Sequence, residues 1–336
     1  MKKFIKVLLI IAACFAGMGV LLSIWGVAWS LRVVDRLTPE DALEQTSVID
    51  AASLTALDVD TGVAELRFES TSAQEARIEA SGFSEGELTI EQKDGVLTLR
   101  SRDVIGGSSI LNLGIFRIDW LGRLHTGTLA PRVITLYLPE VELESFALDT
   151  GVGDVSGKLP FTAKTMTISC GTGNVALSSL HASTLNLSQG VGEIVLEDFS
   201  CDRLTFSGGT GNARLKSGSV AQSAGLSMGM GEITIDGGEW HSLDVDGGTG
   251  NFQFTGSLRG ACSFDAGTGD ITLSFDDGAE NYSILLHKAV GSIYANGAQL
   301  TVTEDGEDYS INPELETKNT LEIDMGVGNI TLNFPE

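Results

Sequence analysis

The sequence of 336 residues contains 21 basic and 45 acidic side chains, which give a formal net charge of −24. This balance argues against a nucleic-acid-binding protein, because binding to phosphates requires clustered Lys and Arg. Hydrophobic residues make up 42% of the chain, so it can build a core and is not expected to be disordered. The 41 glycines, set against 6 prolines, indicate many tight turns.

The first predicted element is a membrane-spanning helix. Residues 7–31 contain no charged side chain, and about 20 apolar residues are enough for a helix to cross a bilayer. Three lysines precede this stretch, so the positive-inside rule places the N-terminus in the cytoplasm and everything after the helix outside the membrane. Residues 1–36 are therefore predicted to be the cytoplasmic tip and the helix, with the lipid bilayer as a partner. Lipidation at Cys14, or cleavage as a signal peptide, is an alternative.

Residues 37–53 are polar and predict a stalk, and residues 54–336 form the predicted ectodomain. Its main feature is a repeated Gly-x-Gly turn with a candidate strand on each side. Seven regular copies follow each other at intervals of 19 or 20 residues, with first glycines Gly151, Gly171, Gly190, Gly209, Gly229, Gly248 and Gly267. Degenerate copies begin at Gly62, Ala289 and Gly326, so the chain contains about ten units.

Each unit has an apolar face that alternates with polar positions. Counted from the first turn residue, positions −5, −3, +4 and +6 face one way in two strands, because side chains alternate along a strand. Of these 40 positions in ten units, 39 are apolar, and Gly157 is the exception. One such hairpin is not stable alone in water, so the copies are expected to stack and bury their apolar faces together. The sequence therefore predicts an all-β fold, a β-solenoid or β-helix of strand-turn-strand units.

A second regularity concerns the third residue after the first glycine of each regular unit. Acids and asparagines alternate strictly there: Asp154, Asn174, Glu193, Asn212, Glu232, Asn251 and Asp270. This alternation suggests a coil of about 38 residues that holds two units, with alternate turns on opposite edges; a coil of 19 residues is the other possibility. In the longer coil the four acids Asp154, Glu193, Glu232 and Asp270 stack at roughly the 5 Å strand spacing. They are candidates for binding a cation or a cationic ligand, or they only keep the edge soluble.

The regular core covers residues 141–297, and two insertions interrupt the repeats near 101–130 and 299–319. The first insertion is expected to be a surface loop. Its apolar residues, such as Phe116 and Trp120, are expected to fold back onto the core or to contact a membrane or a partner.

The segment 133–155 leads from a strand ending in Leu138-Pro139 into the first regular turn at Gly151. A strand followed by Leu-Pro and then by serial Gly-x-Gly-Asp/Asn turns resembles a bacterial family of β-strand-repeat proteins of unknown function that carries an adhesin label. The resemblance covers about residues 54–334. It implies a β-solenoid-like fold in the cell envelope, often behind a membrane anchor, and it supplies no catalytic residues.

Catalytic and cofactor motifs are not supported by their context. Ser227 lies in a Gly-x-Ser-x-Gly sequence, but a nucleophile elbow needs a following helix, and Ser227 occupies an ordinary repeat position. The glycine-rich turns lack the aspartate of the calcium-binding nonapeptide and the helix of a dinucleotide site, so no cofactor is expected. The histidines lack the spacing of zinc ligands, and Cys170, Cys201 and Cys262 are expected to be small buried residues.

The sequence thus favours a non-catalytic binding or scaffolding module, adhesin-like or an accessory in envelope stress. Its expected partners are a wall polymer, an envelope protein or a cationic ligand. A β-helix enzyme that acts on envelope polysaccharide is the alternative, and a cytoskeletal β-helix is disfavoured by the export signal.

Overall fold

The computed structural model describes residues 43–73, 75–83, 86–101, 109–113, 116–119, 124–126, 131–159, 161–300, 308–315, 317 and 319–335. The predicted membrane helix and Cys14 lie outside these residues. Within them, no helix has the length and hydrophobicity needed to cross a membrane.

The described part of the chain is built almost entirely of strands. In chain order they are β1 (Leu43–Asp50), β2 (Ala56–Val63), β3 (Glu65–Ser70), β4 (Glu75–Phe83), β5 (Leu88–Lys93), β6 (Val96–Ser101), β7 (Ser109–Leu113), β8 (Phe116–Asp119), β9 (Leu124–Thr126), β10 (Val133–Leu138), β11 (Val141–Val152), β12 (Val155–Lys158), β13 (Phe161–Thr172), β14 (Val175–Met230), β15 (Ile233–His241), β16 (Leu243–Thr249), β17 (Phe252–Arg259), β18 (Ala261–Thr268), β19 (Ile271–Phe275), β20 (Ser283–Val290), β21 (Ile293–Ala295), β22 (Ala298–Leu300), β23 (Asp308–Ile311), β24 (Thr320–Val327) and β25 (Ile330–Asn333). Two short 3-10 turns, Ala51–Ser53 and Ala279–Asn281, join strands.

The repeats form a parallel solenoid with one unit per coil. Val152 pairs with Thr172, and Thr172 pairs with Val191, at offsets of 20 and 19 residues. The long element β14 stays extended around successive coils. The inference of a 38-residue coil is therefore wrong, and the 19-residue alternative is correct. Every Gly-x-Gly turn lies on the same edge of the stack.

The core consists of the alternating apolar positions that the sequence predicts. Of the 40 inward positions, 38 are buried, and only Gly157 and Ala295 are partly exposed. Aromatic rings from the second strand of one coil also contact rings from the first strand of the next coil. Phe252 and Phe264 do so at a centroid distance of 5.0 Å. Each coil therefore fills its interior with its own side chains and those of its neighbours, which is why the units are stable only as a stack.

At the N-terminal end, strands from before the regular repeats cover the first coil. β2 lies between β6 and β11, and β3 lies between β10 and β12. β4 pairs antiparallel with β10, and β1 pairs with β4. The prediction of a polar stalk is wrong for its described part, because Leu43–Asp50 is a strand and Ile49 and Ala51 are buried in the core.

The first insertion contains secondary structure of its own. Strands β7, β8 and β9 form a separate three-stranded antiparallel sheet, in place of the loop that the sequence suggested. It belongs to a compact unit distinct from the one that contains the solenoid.

At the C-terminal end, the order of the coils differs from the order of the sequence. β24 pairs with β18 on one side and with β20 on the other, both in parallel. β25 lies in the same way between β19 and β21. The last unit of the chain is thus inserted between the two units that precede it, and the short antiparallel strands β22 and β23 close the end. Such short end strands limit edge-to-edge aggregation.

Candidate functional site

The turn edge, defined here as the stacked Gly-x-Gly corners, is held by backbone contacts between coils. Gly173 N–H donates to Val191 O at 3.0 Å. A Cβ on Gly173 would lie 2.1 Å from Gly153 O, and its φ of +145° favours glycine. A Cβ on Gly171 would lie 2.5 Å from Gly151 O. The glycines are therefore needed both for the corner conformation and for close stacking.

The alternating acids and asparagines form one row along this edge, which we call the acid–amide row. Asn174 N–H donates to Asp154 Oδ1 at 2.8 Å, and Glu193 N–H donates to Asn174 Oδ1 at 3.0 Å. Asp270 accepts in the same way from Asn329 on the inserted coil, at 2.8 Å. Each short side chain thus accepts a hydrogen bond from the backbone of the next coil.

The two glutamates of the row use a different contact, since their side chains are one methylene longer. Glu193 forms an ion pair with Arg214, and Glu232 accepts from Gln253 Nε2 at 2.8 Å. Both partners lie on the following coil. All four predicted candidates, Asp154, Glu193, Glu232 and Asp270, are therefore engaged in contacts between coils.

The predicted stacking of these four acids at one strand spacing is wrong. Because the coil holds one unit, an asparagine separates successive acids, and they lie roughly 9–10 Å apart, which is two strand spacings. No group of three or more His, Cys, Asp or Glu in the described residues is arranged to hold a metal ion. Cation binding by the four candidates stays a prediction.

Beside the acid–amide row, the residues between the glycines form an exposed ridge. Val152, Val191, Met230, Val327 and Val290 are 48–59% exposed, and threonines occupy the other regular coils. The ridge is continuous because these residues pair from coil to coil, as Val152 does with Thr172. Aliphatic residues and threonines alternate along most of the ridge, so its exposed surface is partly apolar, and exposed apolar patches are typical of contact sites.

On the other side of the ridge, the structure stacks three carboxylates that occupy position −2 of their units. Asp246 pairs with Asp265, and Asp265 pairs with Asp324 on the inserted coil. All three are exposed. The consecutive acids that were expected in the acid–amide row thus occur at position −2, because the inserted coil brings Asp324 next to Asp265.

A polar groove runs along another side of the solenoid. It is formed where the second strand of one unit connects to the first strand of the next unit. Two adjoining cavities of about 540 and 570 Å³ share Glu142, Thr162 and His181. Both volumes fall in the range of ligand-binding clefts. His181 Nδ1 lies 2.8 Å from Ser200 Oγ within the groove. No repeated motif marked these residues in the sequence, because the coils differ most in this segment.

The remaining sequence candidates lie apart from this groove, except for Cys201 at its margin. Ser227 lies within the extended β14, so the strand-turn-helix geometry of a nucleophile elbow is not present. Cys170, Cys201 and Cys262 are free and buried, as predicted. Burial raises the pKa of the Cys201 thiol to about 12 and that of the Cys262 thiol to about 11. These thiols are protonated at neutral pH and are therefore poor nucleophiles.

A family model matches residues 54–333, the part of the chain that contains the parallel coils and their stacked Gly-x-Gly turns. The chain belongs to the Toastrack family, DUF4097. The resemblance to a bacterial β-strand-repeat family that the sequence indicated is therefore confirmed. No curated protein sequence matches this Toastrack chain.

Six chains of solved structures resemble this Toastrack protein, among them the following three. A candidate adhesin from Bacteroides fragilis is 14% identical, with 86% of this chain and 97% of that chain covered and a TM-score of 0.40. A candidate lipid-binding protein from Parabacteroides distasonis is 13% identical, with 86% and 96% covered and a TM-score of 0.41. A candidate cell adhesion protein from Clostridium sporogenes is 14% identical, with 88% and 100% covered and a TM-score of 0.26.

Proposed function

We propose that this protein is a non-catalytic binding and scaffolding module of the bacterial cell envelope. In this proposal the helix over residues 7–31 anchors it in the plasma membrane, and the solenoid lies outside. Its repeated surfaces would then face wall polymer, envelope proteins and cationic molecules. The observation that carries the proposal is the exposed ridge of the turn edge, which repeats along the stack without contributing to the core.

The chemistry of the ridge indicates what kind of partner fits it. Its aliphatic side chains are bordered on one side by the acid–amide row and on the other by the residues at position −2. That position holds acids towards both ends of the stack and serines on the four coils between them: Asp60, Asp149, Ser169, Ser188, Ser207, Ser227, Asp246, Asp265 and Asp324. A partner therefore gains by covering apolar surface and by placing positive groups over the two rows. A second copy of this chain is a poor partner, because the formal net charge of −24 repels it.

The experiment uses the full-length protein and a variant with Val152→Thr, Val191→Thr and Met230→Thr. Threonine already occupies the same position at Thr172, so the substitutions keep the backbone and remove apolar surface. Co-sedimentation with isolated bacterial cell walls and with envelope membranes measures binding. The wild type should sediment with one of these fractions, and the variant should bind several-fold less.

Val48→Thr is the matched control, since Val48 is 64% exposed but lies on β1, away from the ridge. Equal loss in this control, or no binding of the wild type to any envelope fraction, would overturn the proposal. A C-terminal tag that external protease fails to remove from intact cells would overturn the extracytoplasmic location.

One observation favours a second candidate, an enzyme that acts on envelope polysaccharide. The His181–Ser200 hydrogen bond places a base next to a hydroxyl within an open groove, as general base catalysis requires. Turnover of cell-wall glycan that Ser200→Ala and His181→Gln both abolish would support the enzyme. Unchanged turnover in both variants would exclude this pair as its catalytic centre.

A further inference from the structure

The polar groove has the dimensions of a polymer-binding site. Its lining comes from five successive coils, starting at Glu140–Glu144 and ending at Ser219 and Ala221. Five coils at the ordinary strand spacing extend over about 20 Å. Its open shape along the solenoid axis suits an extended chain that continues beyond both ends.

Polar side chains follow the groove at the spacing of the coils. Glu142 pairs with Thr162, and Thr162 pairs with His181. Ser200 follows on the next coil and contacts His181 at 2.8 Å, and Ser219 lines the groove one coil further on. The groove thus presents one hydrogen-bonding group about every 4.8 Å. This distance is close to the rise of one sugar ring in an extended glycan.

The charge of the groove selects among glycans. Lys164 is neutralised by Glu144, whose carboxylate lies 2.6 Å from Lys164 Nζ. The whole lining is acidic, with five carboxylates against two lysines, Lys158 and Lys164. Glu142 and Asp202 have no ion-pair partner in the described part of the chain. An anionic polymer would be repelled by these two carboxylates, whereas ammonium groups would form charge-assisted hydrogen bonds with them.

A peptide fits this groove less well than a glycan does. The backbone groups of the strands that form the groove are already paired between coils, so no free strand edge is available for an added peptide strand. The large apolar lining residues Leu143, Leu159 and Phe161 are buried, and the exposed apolar side chain is the small Ala221, so the lining offers no apolar pocket for peptide side chains. The accessible groups are carboxylates, hydroxyls, an imidazole and amines, which bind sugar hydroxyl and amino groups.

We propose that this groove binds an extended glycan that carries free amino groups, with Glu142 and Asp202 contacting the ammonium groups and His181 and Ser200 contacting hydroxyls. The inference rests on the proposed function, because it names a wall-type polymer as ligand, but it uses a different surface from the ridge. If the groove does not bind the glycan, the proposed binding at the ridge and its experiment are unaffected.

The test measures binding of the full-length protein to three soluble probes by calorimetry. A glucosamine hexasaccharide should bind. A hexasaccharide of N-acetylglucosamine, which has the same backbone without ammonium groups, should bind at least about tenfold more weakly, because it cannot form the charge-assisted hydrogen bonds. A lysine hexapeptide has the charges without the sugar. It should also bind at least about tenfold more weakly than the glucosamine probe, because it has no hydroxyl groups for His181 and Ser200 to contact.

The groove variant carries Glu142→Gln and Asp202→Asn and should lose about 100-fold in affinity for the glucosamine probe, roughly tenfold for each contact. The control variant carries Asp276→Asn and Glu314→Gln, two exposed acids in the C-terminal part of the chain, which change the net charge equally but lie outside the groove and the turn edge. It should bind within about twofold of the wild type, because the groove contacts remain and exposed charges are screened beyond about 8–10 Å. Equal loss in both variants, a lysine peptide that binds as tightly as the sugar, or absence of binding by the glucosamine probe would overturn the inference.

Discussion

Asn174 donates its backbone N–H to Asp154 Oδ1 on the preceding coil at 2.8 Å, and its own Oδ1 accepts from the backbone of the following coil. This pairing explains why acids and amides alternate. Either residue type can accept the hydrogen bond, but carboxylates on every coil would lie only one strand spacing apart. Two unit charges at that distance repel by roughly 1 kcal/mol even in water. An asparagine between each pair doubles the separation and keeps the acceptor.

Asn174→Asp should therefore destabilise the protein by about 1 kcal/mol at low salt, because it places three consecutive acids in the row. Urea unfolding at low and high salt measures the effect, and most of the loss should disappear at about 1 M salt, where the screening length is about 3 Å. Asp154→Asn is the control and should leave the stability unchanged or slightly increase it. A loss that persists at high salt would show that the hydrogen bond, and not the charge, is affected.

The close stacking of glycines at the turn edge predicts that the loss of stability caused by a Gly→Ala change depends strongly on its position. A Cβ on Gly211 would lie 1.6 Å from Gly192 O, and the φ of Gly211 is +145°. Gly211→Ala should cost at least about 3 kcal/mol, because backbone atoms must move and the conformation is strained. Gly225→Ala meets no atom within 4 Å and should change the stability by less than about 1 kcal/mol. Similar thermal midpoints for the two variants would contradict the role of close stacking.

The sequence predicts the inward positions well, because alternation of apolar residues follows directly from burial on one side of a strand. It did not decide the coil length, because two arrangements produce the same alternation of acids and asparagines. A 19-residue coil alternates them to separate charges along one row, and a 38-residue coil alternates them because successive turns lie on opposite edges. The inserted last coil was missed as well. Leu321 and Ile284 follow the same inward pattern, so spacing alone does not say which coil is the neighbour of Cys262. The Asp270–Asn329 pair, which continues the alternation, was the signal that could have revealed it.

Two buried hydroxyls at the N-terminal coils should lower the stability. Thr61 and Thr150 are fully buried and pair with each other, and no described group forms a hydrogen bond with either Oγ1. Thr150→Val has nearly the same shape and should raise the free energy of unfolding by about 1 kcal/mol. Thr167→Val on the exposed face is the control. Destabilisation by Thr150→Val would instead indicate a buried water molecule bound to the hydroxyl.

The buried thiols predict a loss of stability at alkaline pH. Thiols ordinarily titrate with a pKa of 9.0, whereas burial raises the pKa to about 12 for Cys201 and about 11 for Cys262. Above pH 9 the unfolded chain releases these protons and the folded chain does not. The stabilisation is therefore complete below pH 9 and is lost as the pH rises towards 11–12, by about 1.4 kcal/mol per pH unit and thiol.

Urea unfolding at pH 8 and pH 10.5 measures this loss in the wild type and in a Cys201→Ala, Cys262→Ala variant. The variant is expected to be less stable at pH 8 because it loses buried sulfur atoms, but its stability should decline less with pH. An equal decline in both proteins would assign the alkaline sensitivity to other groups.

The inserted C-terminal coil should be essential for the end of the solenoid. β24 fills the space between β18 and β20, so removal of residues 320–336 leaves each of these strands unpaired on that side, while β18 keeps β16 and β20 keeps β23. The removal also exposes the core around Phe264 and Leu286. We expect a loss of several kcal/mol in unfolding free energy and rapid proteolysis within β20. Removal of residues 335–336 alone is the control and should have no effect, because these residues follow the last strand. Unchanged protease resistance of β20 after the long truncation would contradict this prediction. It would mean that β20 pairs directly with β18 once the gap of one strand spacing between them has closed.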